Sequence, residues 1–110
     1  MKTKQDVADY LAHCIEVSGK TQIQIADEAG FPAPNALSMM VTGRMKIPLH
    51  RIPGLAKATG TDPRELLSHC LEAYQPELYE LIAHLHPSML ITSTELKQVR
   101  VWRRSAATSS

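Results

Sequence analysis

The stretch over residues 21–48 constrains the fold of this 110-residue chain more than any other part of it. Thr21 is a residue type that caps the start of a helix, and Gln24 three positions later completes the pattern of a capping box. Gly30 follows at a point where a helix must end with positive φ, which glycine adopts without steric cost. The pattern therefore predicts two short helices joined by a glycine-containing turn, the second over about residues 34–42.

Apolar residues recur at helical spacing in both of these segments. In the first helix they form one face, and a further apolar residue follows directly after the glycine of the turn. In the second helix two apolar residues lie three positions apart. We therefore expect the following side chains to be buried: Ile25, Ala26, Ala29, Leu37 and Met40.

Helix signals continue along the rest of the chain. The clearest start is at Pro63, where Asp62 is the expected N-cap and Glu65 its expected capping-box partner. Residues 105–110 are expected to be a disordered tail. Further helices are expected over residues 5–17, 53–59, 76–86 and 93–103.

The charged residues are unevenly distributed, although the formal net charge is only +1. No Asp or Glu occurs between Gly30 and Thr61, and none occurs from Leu96 to the end of the chain. A basic face does not need a basic protein, so these segments are candidates for contact with a polyanion. Their cations are Arg44, Lys46, Arg51 and Lys57 in the first segment and Lys97, Arg100, Arg103 and Arg104 in the second.

Composition also limits where the chain is expected to work. The first residues do not resemble a signal peptide, and no apolar run approaches the ~20 residues of a membrane span. Cys14 and Cys70 lie far apart and are interpreted as small buried hydrophobic residues rather than as a disulfide. We therefore expect a cytoplasmic protein without a membrane partner.

No motif for catalysis, a cofactor or a metal is recognisable. His84 and His86 are two positions apart, so on a helix they point to different sides and cannot share a metal ion. His69 next to Cys70 is likewise not interpreted as a metal site. Because no nucleophile, base and orienting residue come together in a motif, we expect a protein that is not an enzyme and has no cofactor.

From about Asp6 to Leu67 the chain resembles the Cro/repressor (Xre-like) helix-turn-helix family of bacterial and phage DNA-binding proteins. The resemblance is carried by TQIQIADEAGFPAPNALSMMVTGRMKIP and by LAKATGTDPRELL, which is similar to the family's usual fourth-to-fifth helix segment. It implies an all-α fold, with a five-helix repressor-like helix-turn-helix domain over residues 1–75 and a C-terminal helical extension over residues 76–104. It also implies that Phe31, directly after Gly30, is buried.

One departure from the family affects the recognition helix. The segment from Gly30 to Gly43 is one residue longer than the commonest family pattern, and it contains Pro32 and Pro34. The third helix of this family is called the recognition helix. Its alignment with the family pattern therefore stays open by about one residue.

The resemblance implies that the third helix lies in the major groove of DNA and that its N-terminal side chains reach base edges. Asn35 is the best candidate for direct readout, because a carboxamide can pair with adenine through two hydrogen bonds. The alternative for Asn35 is an N-cap of the recognition helix. The side chains expected to be exposed at the groove are Ala33, Pro34, Asn35, Ala36, Ser38 and Met39.

Phosphate contacts are expected on both sides of that helix. Thr21 and Gln22, at the start of the second helix, are expected to bind the DNA backbone together with the free N–H groups of the helix. Thr42, Arg44 and Lys46 follow the third helix and are expected to contact phosphate from the other side. For Arg44 and Lys46 the alternative is a solvated loop.

These expectations lead to one interpretation and two alternatives. The chain is interpreted as a homodimeric, sequence-specific DNA-binding transcriptional regulator, a repressor at a pseudo-palindromic operator. The first alternative is an antitoxin or accessory protein whose C-terminal half binds a protein partner. The second is a protein–protein adaptor that has lost DNA binding, which the small, apolar recognition surface favours.

A dimer is expected because a single DNA-binding domain of this size binds DNA weakly. The apolar residues that remain after the five-helix domain is built all lie beyond Gln75, and they are the expected interface. The basic stripe Lys97, Arg100 and Arg104 is expected to lie against acidic Glu72, Glu77 and Glu80 of the same or the partner chain, or alternatively to serve as a second DNA contact. The expected interface residues are Leu78, Leu81, Ile82, Leu85, Leu90, Leu96, Val99 and Trp102.

Overall fold

A computed structural model describes residues 2–90 of the chain, and this part is all-helical, as predicted. It contains six α-helices and two short 3-10 turns, with no strand among the residues described. The predicted last helix, the basic stripe and the predicted tail over residues 105–110 lie outside that range. The α-helices are α1 Lys4–Ser18, α2 Gln22–Glu28, α3 Ala36–Val41, α4 Ile52–Thr59, α5 Pro63–Tyr74 and α6 Pro76–Leu85, and the 3-10 turns are Leu49–Arg51 and Pro87–Met89.

Three of the described helices, α1, α2 and α5, begin where a local side chain accepts a free N–H group of the helix. The Thr21 hydroxyl accepts the Gln24 amide at 3.1 Å, and the Gln24 side chain accepts the Thr21 amide at 2.8 Å, so the predicted capping box is confirmed. Asp62 caps α5 as predicted, but through the Arg64 amide at 2.9 Å instead of the expected box with Glu65.

The end of α2 also follows the prediction. Gly30 has a φ of 79°, in the left-handed region that the sequence assigned to it. A side chain at this position would also be crowded, because an added Cβ would lie 3.1 Å from a guanidinium nitrogen of Arg51. The Arg51 guanidinium in turn lies 5.3 Å from the centre of the Phe31 ring.

The core lies where α1, α3, α4 and α5 meet. α1 packs against α5, α3 packs against α1 and α2, and α4 packs against α2 and α5. Phe31 was expected to be buried, but it is half-buried at the edge of the core. The largest fully buried side chains are Leu11, Ile25, Leu37, Met40, Leu55, Leu66, Val7 and Cys70.

The third helix is shorter than predicted. The prediction was about residues 34–42, but α3 spans only Ala36–Val41, and residues 34–35 form a turn before it. The connection from α2 therefore runs over residues 29–35. It is longer than the roughly three- or four-residue turn that is typical of a helix-turn-helix.

Both cysteines are buried and free, as the sequence predicted. Burial raises the pKa of the Cys70 thiol to about 12 and also raises the pKa of Cys14. The two thiols are therefore protonated at neutral pH, and thiols in that state are poor nucleophiles. Among the described helices, none combines the length and apolar character that a membrane crossing requires.

Candidate nucleic-acid interface

The outward face of α3 is small. Ser38 and Met39 are exposed on it, while Leu37 and Met40 point into the core. Ala36 was expected to be exposed at the groove, and that expectation is wrong. It is the first residue of the helix and is buried in the core cluster, because the helix starts later than predicted and turns this position inward.

The connection before α3 supplies the other exposed positions. Ala33, Pro34 and Asn35 are exposed, as expected. Asn35 occupies the N-cap position of α3, but its side chain makes no capping hydrogen bond. Instead its backbone carbonyl accepts the Ser38 hydroxyl at 2.9 Å and the Met39 amide at 3.2 Å. The carboxamide of Asn35 therefore stays exposed while its backbone is held by the helix.

The start of α2 presents Thr21 and Gln22 to solvent. The Thr21 oxygen accepts the Gln24 amide, so its own hydroxyl proton remains available to an external acceptor. The Gln24 side chain is folded back onto the Thr21 amide and is engaged there. Gln22 is the first helical residue, so its exposed side chain is the longest polar group at this end that no capping bond holds.

The loop after α3 is fastened to the helix that it follows. The Arg44 amide donates to the Met39 carbonyl at 3.0 Å, and the Met45 amide donates to the same oxygen at 3.2 Å. The Thr42 hydroxyl is within 2.9 Å of the Ser38 carbonyl and 3.1 Å of the Met39 carbonyl. Its proton is thus shared within the helix end, and Thr42 can donate to phosphate only by giving up those bonds.

Tyr74 of α5 contacts this loop through its hydroxyl and its ring, and the sequence did not indicate this role. Its hydroxyl accepts the Ile47 amide at 3.1 Å, and its ring centre lies 5.3 Å from the Lys46 ammonium. Lys46 and Arg44 nevertheless remain exposed. Two positive side chains are thus presented by a loop whose backbone is held at both ends.

The other cations of the acid-free segment are placed differently. Arg51 is half-buried against Phe31, so it stabilises the turn after α2. Lys57 is exposed on α4. Of the four cations between Gly30 and Thr61, only Arg44 and Lys46 lie on the loop that directly follows α3.

The structure separates the predicted dimer residues into three groups. Leu78, Leu81 and Leu85 are exposed on α6, and Ile82 is half-buried. Leu90 is only 3% exposed, so its assignment to an interface is wrong: the chain folds back after α6 and buries this side chain. Leu96, Val99 and Trp102 lie outside the described residues.

A second cluster of titratable groups lies between α1 and α5. The rings of Tyr10 and His69 have centres 4.0 Å apart, and neither the Tyr10 hydroxyl nor His69 Nδ1 has a hydrogen-bond partner within residues 2–90. Cys14 and Glu65 lie nearby without reaching hydrogen-bond geometry to that hydroxyl. Burial lowers the pKa of His69 to about 4 and raises the pKa of Tyr10 above its usual range. In the described part of the chain, no three His, Cys, Asp or Glu side chains are grouped as metal ligands.

Comparison with known proteins yields no relative: no protein-family model, no curated protein and no solved structure matches this chain. Three neighbouring segments carry exposed side chains and are joined by backbone hydrogen bonds: the connection before α3, α3 itself and the loop after it.

Proposed function

We propose that this protein is a sequence-specific transcriptional regulator that binds double-stranded DNA, acting as a repressor at a pseudo-palindromic operator. The DNA-binding part is a five-helix repressor-like helix-turn-helix domain over residues 1–75. The observation that supports this most is the exposed, acid-free surface formed by residues 33–46, in which α3 lies between two ordered loops.

Base contacts are assigned to the exposed side chains at the start of this surface. Asn35 presents a carboxamide that no capping bond holds, and such a group can pair with adenine through its N6 and N7 atoms. Pro34 and Met39 are apolar and can contact a thymine methyl group, and Ser38 can donate to or accept from a base edge.

Phosphate contacts are assigned to the flanks. Arg44 and Lys46 are exposed on the loop after α3, and that loop is held by backbone bonds to Met39 and by Tyr74. Gln22 and the free hydroxyl proton of Thr21 flank the other side at the start of α2. Contacts of this kind fix the orientation of a protein on the duplex without carrying sequence information.

The test is a titration of the full chain against fluorescently labelled duplex from upstream of its own gene, at several salt concentrations. Arg44→Ala and Lys46→Ala should each weaken binding to every sequence and reduce the salt slope by about 0.9 per lost phosphate contact. Lys57→Ala is the matched control, because it removes one exposed cation from α4 outside the proposed interface.

Two results would contradict this proposal. The first is wild-type affinity and salt slope in both loop variants, which would show that the loop after α3 does not contact the DNA backbone. The second is a wild-type protein that binds neither this duplex nor mixed-sequence DNA. Lys46→Ala also removes the contact with Tyr74, so the stability of each variant is measured in parallel.

A second candidate function is the binding of another protein, as an adaptor or as the antitoxin of a toxin. It is favoured by the small, apolar surface around the start of α3, where Ala33, Pro34 and Met39 are exposed. Exposed apolar clusters are typical of protein interaction sites. The same titration separates the candidates, since a protein-binding surface gives no salt-dependent affinity for duplex DNA.

A further inference from the structure

The segment that contains α3 carries no charged side chain. Residues 31–43 include no Asp, Glu, Lys, Arg or His. The nearest cations follow Gly43 on the loop after α3, where the Lys46 ammonium lies 5.3 Å from the ring centre of Tyr74. The contact by which proteins most often recognise guanine is made by an arginine or lysine that donates to both O6 and N7. Residues 31–43 contain no side chain of that kind.

The polar groups of this segment favour adenine instead. The exposed carboxamide of Asn35 offers a donor and an acceptor side by side, which match N7 and N6 of adenine. The Ser38 hydroxyl already donates to the Asn35 carbonyl at 2.9 Å, and the Thr42 hydroxyl donates to the Ser38 carbonyl at 2.9 Å. Both hydroxyls can donate to a base only by giving up these bonds. Asn35 therefore has the most available donor of the segment.

Met39 places an apolar group beside that carboxamide. Its side chain is 38% exposed, and its amide donates to the Asn35 carbonyl at 3.2 Å, so the two residues lie one turn apart on the same side. Its carbonyl accepts the amides of Arg44 and Met45, which fixes the backbone at this position. A methionine side chain is flexible and polarisable, and it adapts to small apolar groups. In the major groove, the apolar group that a base edge presents is the C5 methyl group of thymine.

We infer that the operator half-site is read through A·T base pairs, with Asn35 on adenine and Met39 on a methyl group at pyrimidine C5. This inference rests on the proposed function and specifies the class of sequence that the surface binds. The recognised chemistry is the C5 methyl group, which thymine carries and which 5-methylcytosine also carries. Removal of one contacted methyl group should weaken binding about fourfold, because one buried carbon is returned to water.

The first experiment selects binding sites for the full chain from random-sequence duplexes, prepared once with thymine and once with uracil in its place. The thymine library should yield half-sites in which A·T pairs are the most enriched. In the uracil library, enrichment should persist at the pair read by Asn35 and weaken at the pair contacted by Met39. Half-sites enriched in G·C pairs, with that preference lost in Arg44→Ala, would show that an arginine reads guanine and would overturn the inference.

The second experiment titrates the full chain against a selected duplex in which each thymine is replaced in turn by deoxyuridine. The wild type should lose affinity about fourfold at the contacted thymine. Met39→Ala should bind the thymine and uracil duplexes equally, whereas Asn35→Ala should keep the wild-type ratio. Met89→Ala is the matched control, because Met89 is 43% exposed in the 3-10 turn after α6, and it should also keep that ratio.

A further arm of the titration distinguishes the two sources of the methyl group. The contacted T·A pair is replaced by C·G, with and without a methyl group at cytosine C5. Tighter binding of the methylated duplex, by a similar factor, would show that the methyl group is recognised on either pyrimidine. Equal affinity for the two C·G duplexes, with the loss at deoxyuridine retained, would show that thymine is the only source.

The failure of this inference is distinguishable from the failure of the proposed function. Equal affinity of the wild type for thymine and uracil duplexes would overturn the inference alone, because salt-dependent binding to DNA does not need the methyl contact. A wild-type chain that selects no sequence and binds no duplex would contradict the proposed function and this inference together. Met39→Ala should fold normally, since its side chain is exposed and alanine favours a helix, and circular dichroism checks this.

Discussion

Acidification is expected to destabilise this protein through His69. Its ring stacks on Tyr10, with centres 4.0 Å apart, and its Nδ1 atom is buried without a hydrogen-bond partner in the described range. Burial lowers the pKa of His69 to about 4 in the folded chain. The fold therefore favours the neutral form of this side chain, and protonation of the ring in its buried position costs free energy.

Charged groups around the ring modify this effect only in part. Lys2 adds to the lowering of the His69 pKa, and Glu72 and Asp6 oppose it. The Lys2 amide donates to a Glu72 carboxylate oxygen at 3.0 Å, which holds that acid at the edge of the cluster. Burial remains the largest cause of the shift.

The sign and size of the effect follow from proton linkage. An unfolded histidine has a pKa of ~6.5, so between pH 6.5 and 4 the unfolded state binds a proton that the folded state does not. The free energy of unfolding therefore falls as the pH drops through this window. The full shift corresponds to ~3 kcal/mol, and because the ring is only partly buried, solvent screening reduces the expected loss to ~1–2 kcal/mol.

The assay is urea denaturation of the wild type and of His69→Phe at pH 7 and pH 4.5. His69→Phe keeps a ring against Tyr10 and removes the ionisable group, so its stability should fall less on acidification than that of the wild type. His13→Phe, at an exposed position of α1, is the control for general histidine titration. If wild type and His69→Phe lost equal stability between the two pH values, the assigned role of His69 would be refuted.

Two further predictions concern the proposed interface and the turn behind it. Gly30→Ala and Gly60→Ala both place a side chain at positive φ, at a cost of ~1–2 kcal/mol, but only Gly30→Ala also moves the Arg51 guanidinium off Phe31, at a further ~0.5–1 kcal/mol. Equal losses in urea denaturation would contradict this. Asn35→Ala should leave the melting temperature close to that of the wild type and reduce discrimination at one base pair per half-site by ~1–3 kcal/mol. Early melting with unchanged base preference would instead make Asn35 a structural residue.

Much of the helical layout could be predicted because helix ends are encoded locally. Thr21 and Gln24 satisfy each other within three residues, and Asp62 with Pro63 starts α5 in the same way. The ends at Gly30 and Gly60 depend only on backbone freedom at those residues. Signals of this kind do not require knowledge of what the helix packs against.

The errors arose where distant parts of the chain decide the outcome. Leu90 is buried because the chain turns back after α6, where the Arg64 side chain donates to the Ser88 carbonyl at 3.3 Å, a contact 24 residues apart in sequence. The bond from the Ile47 amide to Tyr74 spans 27 residues and leaves no periodic signal. The error at Ala36 is local instead: this residue faces inward because α3 starts two residues later than the pattern indicated.

The length of the connection before α3 bears on how DNA would be read in the proposed complex. α3 rises only ~9 Å over its six residues, so much of the reading surface belongs to residues 33–35. Asn35 combines a backbone held by two hydrogen bonds with an exposed carboxamide, which reduces the entropy lost on binding.

That surface nevertheless offers few polar groups for direct readout. One carboxamide contact contributes ~1–3 kcal/mol of discrimination, whereas specific sites are typically favoured over non-specific DNA by ~4–10 kcal/mol. A single copy of this surface therefore falls short of that difference. Two copies on the two halves of a pseudo-palindromic operator would double the number of base contacts on one duplex, so the proposed function requires that more than one copy binds each operator.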